Sequence, residues 1–455
     1  MFLSLTILDI LISGFYTLLF IGIANFLSNN FKKKYGLRKA KFLRAFIIAK
    51  LMGSILFSIL HVFIYKGGDT FVYFSCSLFY LEQFLKQPLD FFQLLSMNEE
   101  SLANIIYGKN FIGKYYLSSP DVRLMGKLGS LFVLLGFKQF MATNILISMF
   151  SCFGLWKIYS IMCSLVNKYH NALAIGILFY PTTIIWSSGL LKDTFSITAV
   201  GLIFWSVNNL TYQRKIIKSV LLTFVSVYAC MILKPYILYI FIPSMLLWAQ
   251  DAFTKRIQNK IIKSLFRPLI IAAFAFGGFF FINSISESAG KYSLENAVSV
   301  AEGFQSWHSY LAETRSQSGY SLGEVEFTPL GVLTKSPEAF FVTFYRPLMF
   351  VDVTNFATAF EAVQSLILLF FTIYVFVKVG LLKSLKLILS NHHIRAFFIF
   401  AVIFGITVGI TSYNFGALSR YKIPALPFYT AALIFILHFG NKDHTKTLKQ
   451  KPVLK

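Results

Sequence analysis

Long apolar stretches separated by short polar links run through the chain. Runs of roughly 17–25 mostly apolar residues have the length of a bilayer-crossing helix. Together with the links they predict about eleven spans, near residues 3–28, 46–65, 139–161, 171–187, 190–209, 217–233, 235–250, 268–283, 358–378, 396–412 and 423–440. Two longer segments interrupt the series. Residues 66–138 hold "FVYFSCSLFYLEQFL" and "LGSLFVLLGF", predicted as interfacial or re-entrant helices along the membrane surface. Residues 284–357 read as a polar loop, and a connection that long is usually functional or flexible. The expected fold is therefore all-α: one integral membrane domain over residues 1–440, followed by a basic tail, 441–455. No internal repeat relates the spans, so the architecture of secondary transporters gains no support.

Composition agrees. The 455 residues are 56% hydrophobic and 13% charged, where soluble domains carry about a quarter charged residues. The first apolar run is long, lacks a basic n-region and is followed by lysines, which argues against a cleavable signal peptide. The formal charge of +23 could suggest nucleic acid, but the cations sit in short links and no recognition module is present. Of the 42 Lys and Arg, 27 fall in the links 32–44, 157–168, 214–218, 255–267 and 378–395, in the tail, and at Lys50. Among the acids only Asp443 falls in those segments and Asp251 just before one of them, while Asp9 lies inside the first span. This segregation predicts a cytoplasmic C-terminus and an N-terminus outside. The four cysteines are too scattered for a disulfide framework or a zinc site.

On the predicted exoplasmic side, charged residues recur at span ends. Asp69 follows a Gly67-Gly68 turn in "YKGGDTFVYF", and Lys192 and Asp193 stand in "WSSGLLKDTF". Lys234 precedes Pro235, which should start a helix; Arg346 lies in "FYRPLMFVD", and Arg420, Tyr421 and Lys422 in "NFGALSRYKIPALPF". There Gly416 is expected to make a turn and Pro424 to fall in the first turn of the last span. Charges at the hydrocarbon boundary are costly unless they snorkel, pair or face a wet cavity. Their recurrence points to a bound anion, and lipid phosphate is the obvious one. Each has a plainer explanation: snorkelling for Lys234 and Lys422, pairing across the turn for Lys192 and Asp193, a surface turn for Arg346, a helix cap for Asp69. Glu82 falls on the same predicted helix as Asp69, and Asp121 reads as a turn or cap. Glu302, His308, Glu313, Glu324 and Glu326 read as solvated loop. Tyr73, Tyr80, Tyr115, Tyr116, Trp307, Tyr310 and Tyr320 would suit sugar stacking, though aromatic residues also populate membrane interfaces. No zinc or nucleotide-binding motif occurs.

The blocks "GGDTFVY", "SSGLLKDTF", "FYRPL" and "NFGALSRYKIPALPF", spread over residues 46–440, resemble those of bacterial polytopic proteins of cell-surface polysaccharide assembly. With an early exoplasmic Asp and many spans, the chain resembles the GT-C superfamily of integral membrane glycosyltransferases. The resemblance implies an enzyme of the bacterial inner membrane using a polyprenyl-phosphate-linked sugar and a glycan or lipid-linked acceptor, with membrane lipids as further partners. It makes Asp69 the base that activates the acceptor hydroxyl. It assigns Arg420 with Tyr421, and Arg346, Lys192 with Asp193, and Lys234, to the lipid-linked phosphate. The family's early acidic motif often has two acids where this chain has Asp69 alone, so no metal ligand is assigned and a divalent metal stays open. A repeat-unit polymerase or ligase, or a lipid-linked oligosaccharide flippase, are the alternatives.

Overall fold

The computed structural model describes residues 5–35, 41–88, 111–213, 216–256, 319–323, 325 and 329–441. The span expected near 268–283, the loop residues Glu302, Trp307, His308, Tyr310, Glu313, Glu324 and Glu326, and the basic tail lie outside them. The described residues are overwhelmingly helical, and the one isolated bridge joins Gly319 to Asn414. Among the described residues six helices are long and apolar enough to cross a membrane, or up to seven if a bent pair near the C-terminus is one span. This is a multi-pass membrane protein.

The chain divides into two compact units. The first comprises residues 1–160, 178–206 and 216–235. Its helices are α1 (Ile7–Tyr35), α2 (Leu43–Ile59), α3 (Asp69–Lys86), α4 (Pro120–Leu135), the greater part of α5 (Phe140–Leu165), α7 (Pro181–Trp186), most of α8 (Lys192–Asn208) and α9 (Ile216–Leu233). α1, α2, α5 and α9 have the length and apolarity of spans. α3 and α4 do not; they pack along each other, with Phe74, Phe79, Tyr80, Leu117, Met125 and Val133 in their core. Their approach is close because Gly126 and Gly129 on α4 face Tyr80 and Ser77, where a Cβ would clash.

The second unit comprises residues 161–177, 207–215 and 236–455. It contains α6 (His170–Ile177), α10 (Pro235–Arg256), α11 (Pro329–Tyr345), α12 (Phe356–Val379), α13 (Leu381–Ser390), α14 (His392–Ser412), α15 (Phe415–Tyr421) and α16 (Leu426–Gly440). α16 is buried along its length against α14, α12 and α6. Phe397, Phe400, Phe428 and Phe435 interlock at this core.

Several expectations change. The stretch 171–187 is broken into α6 and α7, with Pro181 opening the second helix. Residues 329–345, expected as loop, form α11, whose Ala339, Val342 and Phe344 are buried. Gly409 of α14 lets the α11 backbone approach so closely that a Cβ there would lie 2.2 Å from the Ala339 carbonyl. In the last link Gly416 is helical, not a turn. Asn414 caps α15 by accepting from Ala417 N (3.1 Å), and the chain bends by 66° between α15 and α16. Pro424 falls in that bend, and Pro427 takes the first turn of α16.

Candidate functional site

The first unit gathers charge where α2, α3, α4, α8 and α9 end. α2 runs into a π-helical turn, Leu60–Tyr65, and Lys66 follows in the left-handed region at φ 48°. Gly68 caps α3 at φ 102°, a backbone that disfavours any side chain. Asp69 is thus the first helical residue rather than the cap, and it is exposed. A carboxylate in the first turn is favoured by the helix dipole. Tyr73 lies one turn further along α3, and the Lys192 ammonium stands 5.6 Å from its ring centroid. Lys192 also pairs with Asp121 of α4. Asp121 accepts in addition from Ser119 Oγ (2.5 Å) and from its neighbour's amide, Val122 N (2.9 Å). The adjacent Asp193 accepts from Lys234 Nζ at 2.5 Å, and both side chains are less than a tenth exposed. Lys192 and Asp193, neighbours in sequence, therefore tie α8 to two different elements. Lys192 is the more accessible cation, with a fifth of its side chain exposed.

Two residues that the sequence does not point to at this site shape the region. His61 is buried in the π-helical turn, with Nδ1 2.9 Å from the Phe57 carbonyl. Its ring packs against Phe57, Tyr65 and Trp186 and lies beside Gly68, where a Cβ would sit 3.6 Å from Cδ2. π-Helical turns often mark functional sites, and a histidine just before "GGD" is the signal that could have found it. Lys50 was counted among the cytoplasmic cations. Instead it is fully buried in α2, donating to the carbonyl and Oγ (2.8 Å) of Ser187. Ser151 Oγ donates to the same carbonyl at 2.8 Å. Asn144 accepts from Leu190 N (3.0 Å) and donates to Ser58 Oγ (2.9 Å). This polar network fixes the 187–191 turn that delivers Lys192 and Asp193.

The second unit holds the other predicted residues. Arg346 donates to Asp352 through Nε (2.8 Å) and Nη2, while Leu348 N reaches Asp352 Oδ2 at 2.7 Å. The Arg346 guanidinium lies 5.8 Å from the Tyr320 ring and 5.5 Å from that of Phe415. The hydrogen bond to Asp352 raises the Arg346 pKa further. Asp352 is raised by burial, but the hydrogen bonds from Arg346 and Leu348 and the Arg346 charge outweigh this and hold it below the usual carboxylate range. Lys422 is buried 3.5 Å from Glu361. Arg420 is half-buried with its guanidinium 5.8 Å from the Tyr421 ring. Asp69 and Arg420 thus belong to different units. Of the tyrosines suited to sugar stacking, Tyr73, Tyr80 and Tyr320 are core residues, while Tyr115 and Tyr116 are exposed.

Asp9, the acid inside the first span, has a structural role. Its carboxylate accepts from Met141 N (3.1 Å) and Ala142 N (3.2 Å), the otherwise unsatisfied amides at the start of α5. Among the described residues no three His, Cys, Asp or Glu side chains gather as a metal-binding group. Comparison with protein-family models, curated proteins and solved structures finds no match.

Proposed function

We propose that the protein is an integral membrane glycosyltransferase that transfers a sugar from a polyprenyl-phosphate carrier to a glycan or lipid-linked acceptor. The reaction belongs to cell-surface polysaccharide assembly on the exoplasmic face of a bacterial inner membrane. In the topology proposed the chain crosses about eleven times, with its N-terminus outside and its C-terminus in the cytoplasm. The observation that carries the reading is the placement of Asp69. It is an exposed carboxylate at the first position of a helix that directly follows a span, one turn from the Tyr73 ring on which Lys192 rests.

The chemistry follows from these groups. Asp69 accepts the proton of the acceptor hydroxyl, and the hydroxyl oxygen attacks the anomeric carbon. The bond from that carbon to the phosphate oxygen breaks, and its electron pair leaves with the phosphate. Lys192, the accessible cation, offsets the developing charge, while the buried Asp193–Lys234 pair holds α8 in place. Arg346, Arg420 and Tyr421 are assigned to phosphate on the family resemblance. In support, Nη1 of Arg346 makes no hydrogen bond among the described residues. A flippase should carry ionisable groups as ion-handling sites within its spans; here Asp9 caps a helix, Lys50 donates to the carbonyl and hydroxyl of Ser187, and Glu361 lies beside Lys422.

The reading is tested by supplying the purified, membrane-reconstituted protein with either a polyprenyl-phosphate monosaccharide or a lipid-linked repeat unit. Transfer from the monosaccharide donor supports it. Reaction with the repeat unit alone makes the protein a polymerase, and movement of lipid without bond cleavage makes it a flippase.

A further inference from the structure

A second feature of the first unit lies apart from Asp69. A cavity of about 600 Å³ opens where α3, α4 and α9 meet, a size within the usual range for small-molecule sites. Its polar end carries Arg123 and Lys127 on successive turns of α4; its remainder is mainly apolar, with Leu128, Leu131, Leu134 and Ile232 along the walls. Leu131 and Leu134 are 58% and 41% exposed, so the apolar end is open at the side. α9, which supplies Tyr228 and Ile232, is a candidate span of which only 22% is buried. The open side is therefore continuous with a surface that hydrocarbon chains would cover.

We propose that this groove binds an anionic glycerophospholipid, with its phosphate between Arg123 and Lys127 and one acyl chain along Leu128, Leu131 and Leu134. Two like charges one turn apart on a helix repel, and an anion between them relieves the repulsion. The repulsion is felt: burial first, and then the Arg123 charge, lower the pKa of Lys127. Arg123 is held in place because its Nη1 donates to the carbonyls of Leu117 (3.0 Å) and Ser118 (2.7 Å). The groove passes from cations to leucines, as a phospholipid passes from headgroup to acyl chain. Beyond Arg123 and Lys127 the polar side chains of the lining are Ser130 and Tyr228, too few to read a nucleobase or a peptide backbone.

The test uses the full chain, delipidated in an uncharged detergent, with binding read by native mass spectrometry and by thermal shift. Phosphatidylglycerol should bind and raise the melting temperature, while phosphatidylcholine and inorganic phosphate should do neither. Arg123→Gln with Lys127→Gln should weaken phosphatidylglycerol binding about tenfold or more, and Arg123→Lys with Lys127→Arg should retain it. Leu131→Trp, at an exposed position, narrows the acyl path and should weaken binding with both cations intact; it serves if the charge variant fails to fold. Equal binding of phosphatidylcholine, or full binding by the Gln and Trp variants, would overturn the proposal. So would preferential retention of polyprenyl phosphate, which would make the groove a carrier-lipid site. None of these outcomes depends on glycosyl transfer.

Discussion

Asp193 and Lys234, 41 positions apart, form an ion pair at 2.5 Å that is almost closed to solvent. It joins the first turn of α8 to the end of α9 and neighbours the Lys192–Asp121 pair. A buried pair adds little net stability over apolar residues of similar shape, but removing one partner strands a charge. Lys234→Ala or Asp193→Ala should therefore destabilise the protein by about 3–5 kcal/mol. Asp193→Leu combined with Lys234→Met should recover most of that loss. Thermal unfolding in detergent reads both; a double variant as unstable as the singles would show that the pair does more than neutralise itself.

Asp9 caps α5 from a distance in sequence. Replacing a capping carboxylate with Ala typically costs about 0.5–2 kcal/mol. Asp9→Ala should lie in that range in unfolding experiments and leave sugar transfer per folded molecule unchanged. A large loss of transfer with unaltered stability would give Asp9 a role beyond capping.

The Arg346–Asp352 pair gives acid sensitivity of known sign. Asp352 has its folded pKa below the ordinary 3.8, so the pair contributes in full above the unfolded value. That contribution is lost as pH falls through the lower, folded value. The melting-temperature gap between wild type and Asp352→Asn should be flat from about pH 7 to 5 and close below about pH 4. A gap that closes near neutrality would place the titrating group elsewhere.

Much of the arrangement was legible in the sequence. Six of the helix-length apolar runs became helices long enough to cross a membrane, and "GGDT" marked a glycine-supported turn before an amphipathic helix, as found at Gly68 and Asp69. Lys50 was misread because a cation near a basic link looks like part of it; the hydrogen bonds it donates to Ser187, whose carbonyl also accepts from Ser151, arise only when α2, α5 and the 187–191 turn meet. α11 was hidden because its apolar face is set against glycines of α14 more than sixty residues away. Pairing was the plainer reading of Lys192 and Asp193, whereas Lys234, expected to snorkel, is buried against Asp193; hydropathy carries no information on which partner a cation finds. The pairing of Arg123 with Lys127 at a groove mouth was not anticipated at all.

Cys76 should be chemically inert. Burial pushes its thiol pKa up to about 12, and Sγ faces the Gly113 carbonyl at 3.6 Å. In a chain with the other three cysteines changed to Ser, maleimide labelling at about pH 7.5 should be negligible until the protein is denatured. Rapid labelling of the folded protein would mean that α3 separates from the 111–118 segment in solution.

Asp69 is the group on which the proposed transfer depends most. In proteoliposomes given a radiolabelled polyprenyl-phosphate sugar and acceptor glycan, wild-type protein should release polyprenyl phosphate and label the acceptor. Asp69→Asn, folded and equally stable, should lower that rate about 10²–10⁴-fold, the usual contribution of a general base. Transfer by Asp69→Asn at the wild-type rate would contradict the account.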